Sequence, residues 1–230
     1  AAGMDTAFED NLAQNRQYLT SMLRNLAKGG FECQHLVTAC GSCRDGLERL
    51  HLETSFPQLS QQDVGQLVLP LLKNVKRQAP LDGEGCAIYH GACRCEWAGV
   101  HKIKGQDQLV RALQDFSGAT VHLNPGCCGE SGMGAMTSPE IYNLLRSRKQ
   151  IRLAEAFGDC DGPVIVGCPS CKIGIGRCCI NLRDKRPVLH TVEWIAGQID
   201  GEDRRQSFRK KVNEVRGDVR VVDVTREQAD

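Results

Sequence analysis

The triplet Cys127-Cys128-Gly129 stands between two further cysteine groups set at long, regular intervals. Cys93 precedes it with 33 residues intervening (94–126), and Cys168-Pro169-Ser170-Cys171 follows with 39 intervening (129–167). Five thiols in the order Cys, Cys-Cys-Gly, Cys-x-x-Cys suit a metal or iron–sulfur centre assembled from separate loops, because thiolates are common ligands of both. Neighbouring cysteines pair poorly with each other in a disulfide, yet both can point at a cluster larger than one metal atom. Zinc takes four thiolates in a closed tetrahedron. The fifth thiol and the Cys-Cys adjacency favour iron–sulfur over zinc, with redox-active thiols as a third reading.

Other residues carry weaker signals. Cys40-Gly41-Ser42-Cys43 lies on a predicted strand-to-helix turn, where a helix N-terminus lowers a thiol pKa, so it reads as a dithiol motif or as half of another metal site. Cys178 lies two helical turns beyond Cys171 and can share its face, although with Cys179 it reads more simply as a small core residue. Cys33, Cys86, Cys95 and Cys160 show no partner spacing, and Cys95 is close enough to Cys93 to compete for its position. His90, three residues before Cys93, is placed to hydrogen-bond a cluster sulfur, or to rest satisfied in the core.

Thirteen cysteines in 230 residues exceed what a chain long enough for its own core needs as staples, so thiols in a reducing compartment fit better than a disulfide scaffold. The formal charge of +1 gives no global reason to expect nucleic acid or an anionic membrane as partner. No apolar stretch is long enough to span a bilayer, and the start, Ala-Ala-Gly-Met, lacks a signal-peptide pattern. The chain reads as a fragment of a longer polypeptide, or as starting just after a processed segment.

The elements that must position these thiols alternate. Helices are expected over residues 5–28, 64–75, 106–116, 139–157, 191–199 and 207–215, and a further one after Cys43. Strands are expected at 35–39, 86–90, 119–123, 163–167, 188–190 and 219–224. A glycine-rich turn spans 126–134. The fold class is therefore α/β, with a mainly parallel sheet and flanking helices. In such sheets ligand sites gather beyond the carboxyl ends of strands, where Cys93, Cys127, Cys128 and Cys168 all fall. A helix, a short strand, Cys-x-x-Cys and another helix recur around Cys40/Cys43 and around Cys168/Cys171, which predicts two related units with the first truncated.

With its three motifs, Tyr89-His90-Gly91-Ala92-Cys93, Cys127-Cys128-Gly129-Glu130-Ser131-Gly132 and Gly167-Cys168-Pro169-Ser170-Cys171, the chain resembles the cysteine-rich CCG-domain family. That family includes the B subunit of heterodisulfide reductase and the iron–sulfur subunits of glycolate, lactate and anaerobic glycerol-3-phosphate dehydrogenases. Its members carry two tandem repeats. The resemblance makes residues 84–230 a complete second repeat with C-terminal helices and a strand, 1–55 the end of a first repeat, and 56–83 a linker with a helix. Where the family has Asp-Pro or Asp-Ser before the first cysteine, this chain has Gly91-Ala92.

By this resemblance, Cys93, Cys127, Cys128, Cys168 and Cys171 hold a [4Fe–4S]-type centre or, as in some members, zinc, and Cys40 and Cys43 belong to an incomplete first site. The implied function is electron transfer between a flavin dehydrogenase of small 2-hydroxy acids and a quinone or disulfide acceptor. Its implied partners are a flavoprotein domain or subunit and other iron–sulfur subunits. The rival readings are a catalytic heterodisulfide reductase subunit and a zinc-stabilised assembly module without redox activity. The expected location is the cytoplasm, with peripheral attachment to the inner face of the membrane through a partner.

Overall fold

Val164-Ile165-Val166 is apolar without alternation, as a strand covered by helices on both faces must be, and all three residues are completely buried. In the computed structural model, which describes residues 9–72, 74–75, 85–93, 103–130, 136–201, 209–211 and 214, this run is β5, one of the two inner strands of a four-stranded parallel sheet. The order is β4-β3-β5-β6, with β3 at Cys86–Gly91, β4 at Thr120–Pro125, β5 at Val164–Val166 and β6 at Val188–His190. Tyr89 pairs with Leu123 on one side and Ile165 on the other, and Ile165 pairs in turn with Leu189.

A smaller parallel pair precedes it. β1 (His35–Thr38) lies beside β2 (Ser60–Asp63), in register from His35 opposite Ser60 to Thr38 opposite Asp63. Helices α1 (Glu9–Lys28), α2 (Gly41–Glu48) and α3 (Val64–Leu72) accompany these strands, and α4 (Ile103–Ser117), α5 (Pro139–Asp159), α6 (Pro169–Asn181) and α7 (Thr191–Asp200) flank the larger sheet. The expected α/β architecture with a parallel sheet is the observed one. The strand at Ser60–Asp63 has no sequence signal, because Ser-Gln-Gln-Asp offers no apolar alternation. The expected strand at 219–224 lies outside the described residues, and of the expected helix at 207–215 residues 209–211 and 214 are described, as helix. No helix among the described residues is long and apolar enough to cross a membrane.

Strand alternation splits the core into two layers. Ala87, Tyr89, Val121 and Ile165 pack with Leu109 and Leu113 of α4 and Trp194 and Ile195 of α7. Ile88, Val164 and Val166 pack on the other face with Leu153 of α5 and Ile175 of α6, together with Cys40, Cys128, Cys168, Cys171, Cys178 and Cys179. His90, two residues beyond Ile88 on the same strand, points to that cysteine-rich face. A third cluster of Leu23, Leu50, Leu52 and Leu59 serves the N-terminal pair of strands.

The rim of the sheet away from the cysteine motifs carries a feature without a sequence signal. Cys86, opening β3, and Cys160, ending α5, form a disulfide across 74 residues of chain. The expectation of a core without staples is corrected at this one point. Closing a loop of that length restricts the unfolded chain and stabilises the fold by about 4 kcal/mol. A Cys86→Ala/Cys160→Ala protein is therefore expected to unfold at markedly lower denaturant, with metal content unchanged because the bridge stands clear of the thiol motifs. An unaltered midpoint would show that the bridge contributes nothing to stability.

Candidate metal centre

In a parallel sheet all strands end at the same edge, so the loops that follow them share one rim. β3 ends at Gly91, opposite Pro125 at the end of β4, while Val166 and His190 pair at the ends of β5 and β6. Cys93, Cys127-Cys128 and Cys168 are each within three residues of these ends. Gln106 of α4 donates from Nε2 to the carbonyl of Ala92 at 2.9 Å and fixes the turn ahead of Cys93.

The third residue of Cys-Cys-Gly has a steric reason. Gly129 has φ +72°, and a Cβ there would lie 2.9 Å from the carbonyl oxygen of Tyr142 and 3.0 Å from the amide of Arg146, both backbone atoms of α5. Its carbonyl accepts from Arg146 Nη2 at 3.0 Å, and its N–H lies 3.4 Å from Cys127 Sγ. From the other side Gly174 lets α6 approach: a Cβ there would meet the Cys128 carbonyl oxygen at 3.0 Å. Glu130 then anchors the turn through Arg177 at 2.6 Å and Arg146 at 3.8 Å.

The two Cys-x-x-Cys motifs have the same local form. Cys168 is the N-cap of α6 with φ −147° and ψ 133°, and Cys40 is the N-cap of α2 with φ −159° and ψ 127°. Each follows a parallel strand, and the two thiols meet at 3.5 Å. His190 holds this junction: its Nδ1 accepts from the Val192 amide, which leaves Nε2–H to donate to the carbonyl of Ala39 at 3.0 Å.

Together the thiols make one connected string in the order Cys93, Cys127, Cys128, Cys171, Cys168, Cys40, each interacting with the next. Cys128, Cys168 and Cys171 are buried, Cys127 half-buried and Cys93 exposed. The thiols along the string differ in acidity. Cys127, accepting from Cys128 and then Cys93, is held well below the usual thiol range, as is Cys168, accepting from Cys171 and then Cys40. Cys128 is pushed up to about 11, first by its bond to Cys127, while Cys171 and Cys40 are raised further by their thiol neighbours and by burial. The amides of Cys171 and Ser170, at the start of α6, add to the pull on Cys168.

Two buried bases border the string. Lys149 of α5 donates to the carbonyl of Asn124 at 2.7 Å, to its Oδ1 at 2.5 Å and to the carbonyl of Pro125 at 3.3 Å. Burial lowers its pKa to about 7, against the upward pull of Cys171, Cys128 and Cys178. His90 is fully buried and held down to about 3, by burial first and then by the Lys149 charge. Neither of its ring nitrogens makes a hydrogen bond, although the Asn124 backbone, its partner in the β3–β4 register, lies close enough to exert a small upward pull. A hydrogen-bond-satisfied core histidine is therefore not what the structure contains. The ligand atoms of His90, Cys128 and Cys171 lie within 4.8 Å of one another, all buried. Sequence reasoning left His90 outside the ligand set, because its missing hydrogen bonds are visible only in three dimensions.

The donor set fits a metal. Soft thiolates dominate it, an unpartnered imidazole faces it, and a buried ammonium stands by to offset negative charge. Cys43 is half-buried beside Cys40, while Cys178 and Cys179 pack into the apolar cluster on α6. Cys33 donates to the carbonyl of His35, far from the string in the fold's N-terminal part, and Cys95 lies outside the described residues.

No curated protein matches the chain. Residues 87–176, from β3 into α6, match the family of cysteine-rich CCG domains, and the match spans Cys93, Cys127, Cys128, Cys168 and Cys171. The motif cysteines lie at one sheet edge and the motif glycine is explained by its contact with α5, which agrees with the similarity of this segment to cysteine-rich CCG domains.

Proposed function

We propose that the protein is the cluster-holding part of an oxidoreductase, in which Cys93, Cys127, Cys128, Cys168 and Cys171 hold an iron–sulfur centre of the [4Fe–4S] type. The centre passes electrons between a flavin-dependent dehydrogenase of small 2-hydroxy acids and a quinone or disulfide acceptor. The partners are the flavoprotein and other iron–sulfur subunits, met in the cytoplasm or at the inner face of the membrane.

The observation that carries this reading is the unbroken string of thiols, five of them from three loops of the CCG domain. When bound, an iron–sulfur centre supplies reversible one-electron transfer. The chain's own residues prepare for it. Cys127 and Cys168 stand ready as thiolates, and the Lys149 ammonium offsets part of the charge that several thiolates bring together. Burial of Cys128, Cys168 and Cys171 keeps water from the inner end, while exposed Cys93 marks the outer end where a redox partner approaches.

A second reading, zinc in an assembly module, is favoured by the compact His90–Cys128–Cys171 group, whose size suits a single ion. Anaerobic purification followed by iron, zinc and acid-labile sulfide analysis separates the two. The electron-transfer reading expects iron with matching sulfide and an EPR signal that appears or vanishes on reduction. Zinc without sulfide would overturn it.

A further inference from the structure

The imidazole of His90 is placed oddly for a residue without a task. It is fully buried on the cysteine-bearing face of β3, and both ring nitrogens lack hydrogen bonds. A buried polar group left unpaired is costly, so such a group marks a partner that joins it. On the same face stand the buried thiols of Cys128 and Cys171, with their sulfur atoms and a ring nitrogen inside a common 4.8 Å. Tetrahedral zinc or iron, with bonds to sulfur of about 2.3 Å and to nitrogen of about 2.0–2.1 Å, separates its donors by about 3.5–3.8 Å. Side-chain adjustments of about an ångström bring the three to that spacing.

We infer that His90 is a nitrogen ligand of the metal centre, forming with Cys128 and Cys171 a mixed imidazole–thiolate position for one zinc or iron ion. The inference rests on the metal-binding reading above and adds a donor that the Cys, Cys-Cys-Gly, Cys-x-x-Cys pattern does not contain. Thiols on both sides of the trio, Cys127 next to Cys128 and Cys168 next to Cys171, supply the fourth donor. The surroundings suit a ligating imidazole. A metal-bound histidine commonly donates its second N–H to a backbone carbonyl, and Asn124, opposite His90 in the register, offers one that also accepts from Lys149. An iron held by imidazole instead of thiolate has the higher potential, as the histidine-ligated [2Fe–2S] centres illustrate, so His90 would make this end of the string the preferred resting place of an electron.

The test is X-ray absorption at the edge of whichever metal the anaerobically purified protein carries. The expected result is a first shell containing nitrogen as well as sulfur, with the outer-shell scattering of an imidazole, and loss of that imidazole in a His90→Gln protein. In parallel, pulsed EPR of protein grown on [15N]histidine, or of its cobalt-substituted form if zinc is native, should show the nitrogen coupling change with the isotope. The isotope experiment uses the unaltered chain and so decides the matter even if His90→Gln does not fold. An all-sulfur shell with no histidine coupling, or an imidazole that persists in His90→Gln, overturns the inference while leaving the metal-binding reading intact. A chain that binds no metal overturns both.

Discussion

A Cys171→Ser protein is expected to lose its metal, with metal affinity at least about tenfold below that of the unaltered protein, the scale already seen when merely an outer partner of a ligand is removed. Cys171 occupies the middle of the thiol string, between Cys128 and Cys168, and is buried one turn into α6. Both the iron–sulfur and the zinc reading place it at the centre, so the prediction does not depend on which metal is present. Serine preserves size and helix geometry while exchanging a soft sulfur for a hard oxygen that binds these metals poorly. The same change at Cys33, whose thiol donates to the His35 carbonyl away from the string, should leave metal content unchanged. Metal analysis alongside far-UV circular dichroism reads the result. Full metal occupancy in a folded Cys171→Ser protein would remove this thiol from the ligand set.

Gly129→Ala should be the most damaging single-methyl change in the Cys-Cys-Gly loop. The new methyl group would lie 2.9 Å from the Tyr142 carbonyl oxygen and 3.0 Å from the Arg146 amide, and neither backbone atom of α5 can swing aside as a side chain could. Its φ of +72° adds strain of about 1–2 kcal/mol for any residue with a Cβ. Overpacking adds about 1–3 kcal/mol more, which gives a total of about 2–5 kcal/mol. Relief requires the loop to move off α5, carrying Cys127 and Cys128 with it. Chemical denaturation and metal analysis together should therefore report loss of stability and of metal. A Gly129→Ala protein as stable as its parent would mean that the loop and α5 are not packed as described.

The parts of this molecule legible in its sequence are those set by local pattern. Val164-Ile165-Val166 announces a strand covered on both faces, and Val188–His190 and Thr191–Asp200 follow as the expected strand and helix. The parallel sheet follows from the alternation of elements, and with it the convergence of Cys93, Cys127, Cys128 and Cys168 on one edge. What escaped depends on contacts between distant segments. Ser60–Asp63 becomes a strand because β1 offers it hydrogen bonds, not because of its own residue types. Cys86 and Cys160 meet only once β3 and the end of α5 are placed. His90 was visible as a residue near Cys93, but the absence of hydrogen bonds to its ring belongs to the packed core. Cys40 and Cys43 read from the sequence as half of a separate site, whereas folding sets Cys40 directly against Cys168.

That last contact joins residues 128 positions apart, and it sits where the small parallel pair abuts the large sheet. A metal lodged beside it would act as a rivet between the two halves of the chain. Reciprocity then requires that whatever tightens the seam also tightens the grip on the ion, and by an equal free energy. Stripping the ion should consequently loosen the molecule first along that seam, with the two hydrophobic layers of the larger sheet the last to yield.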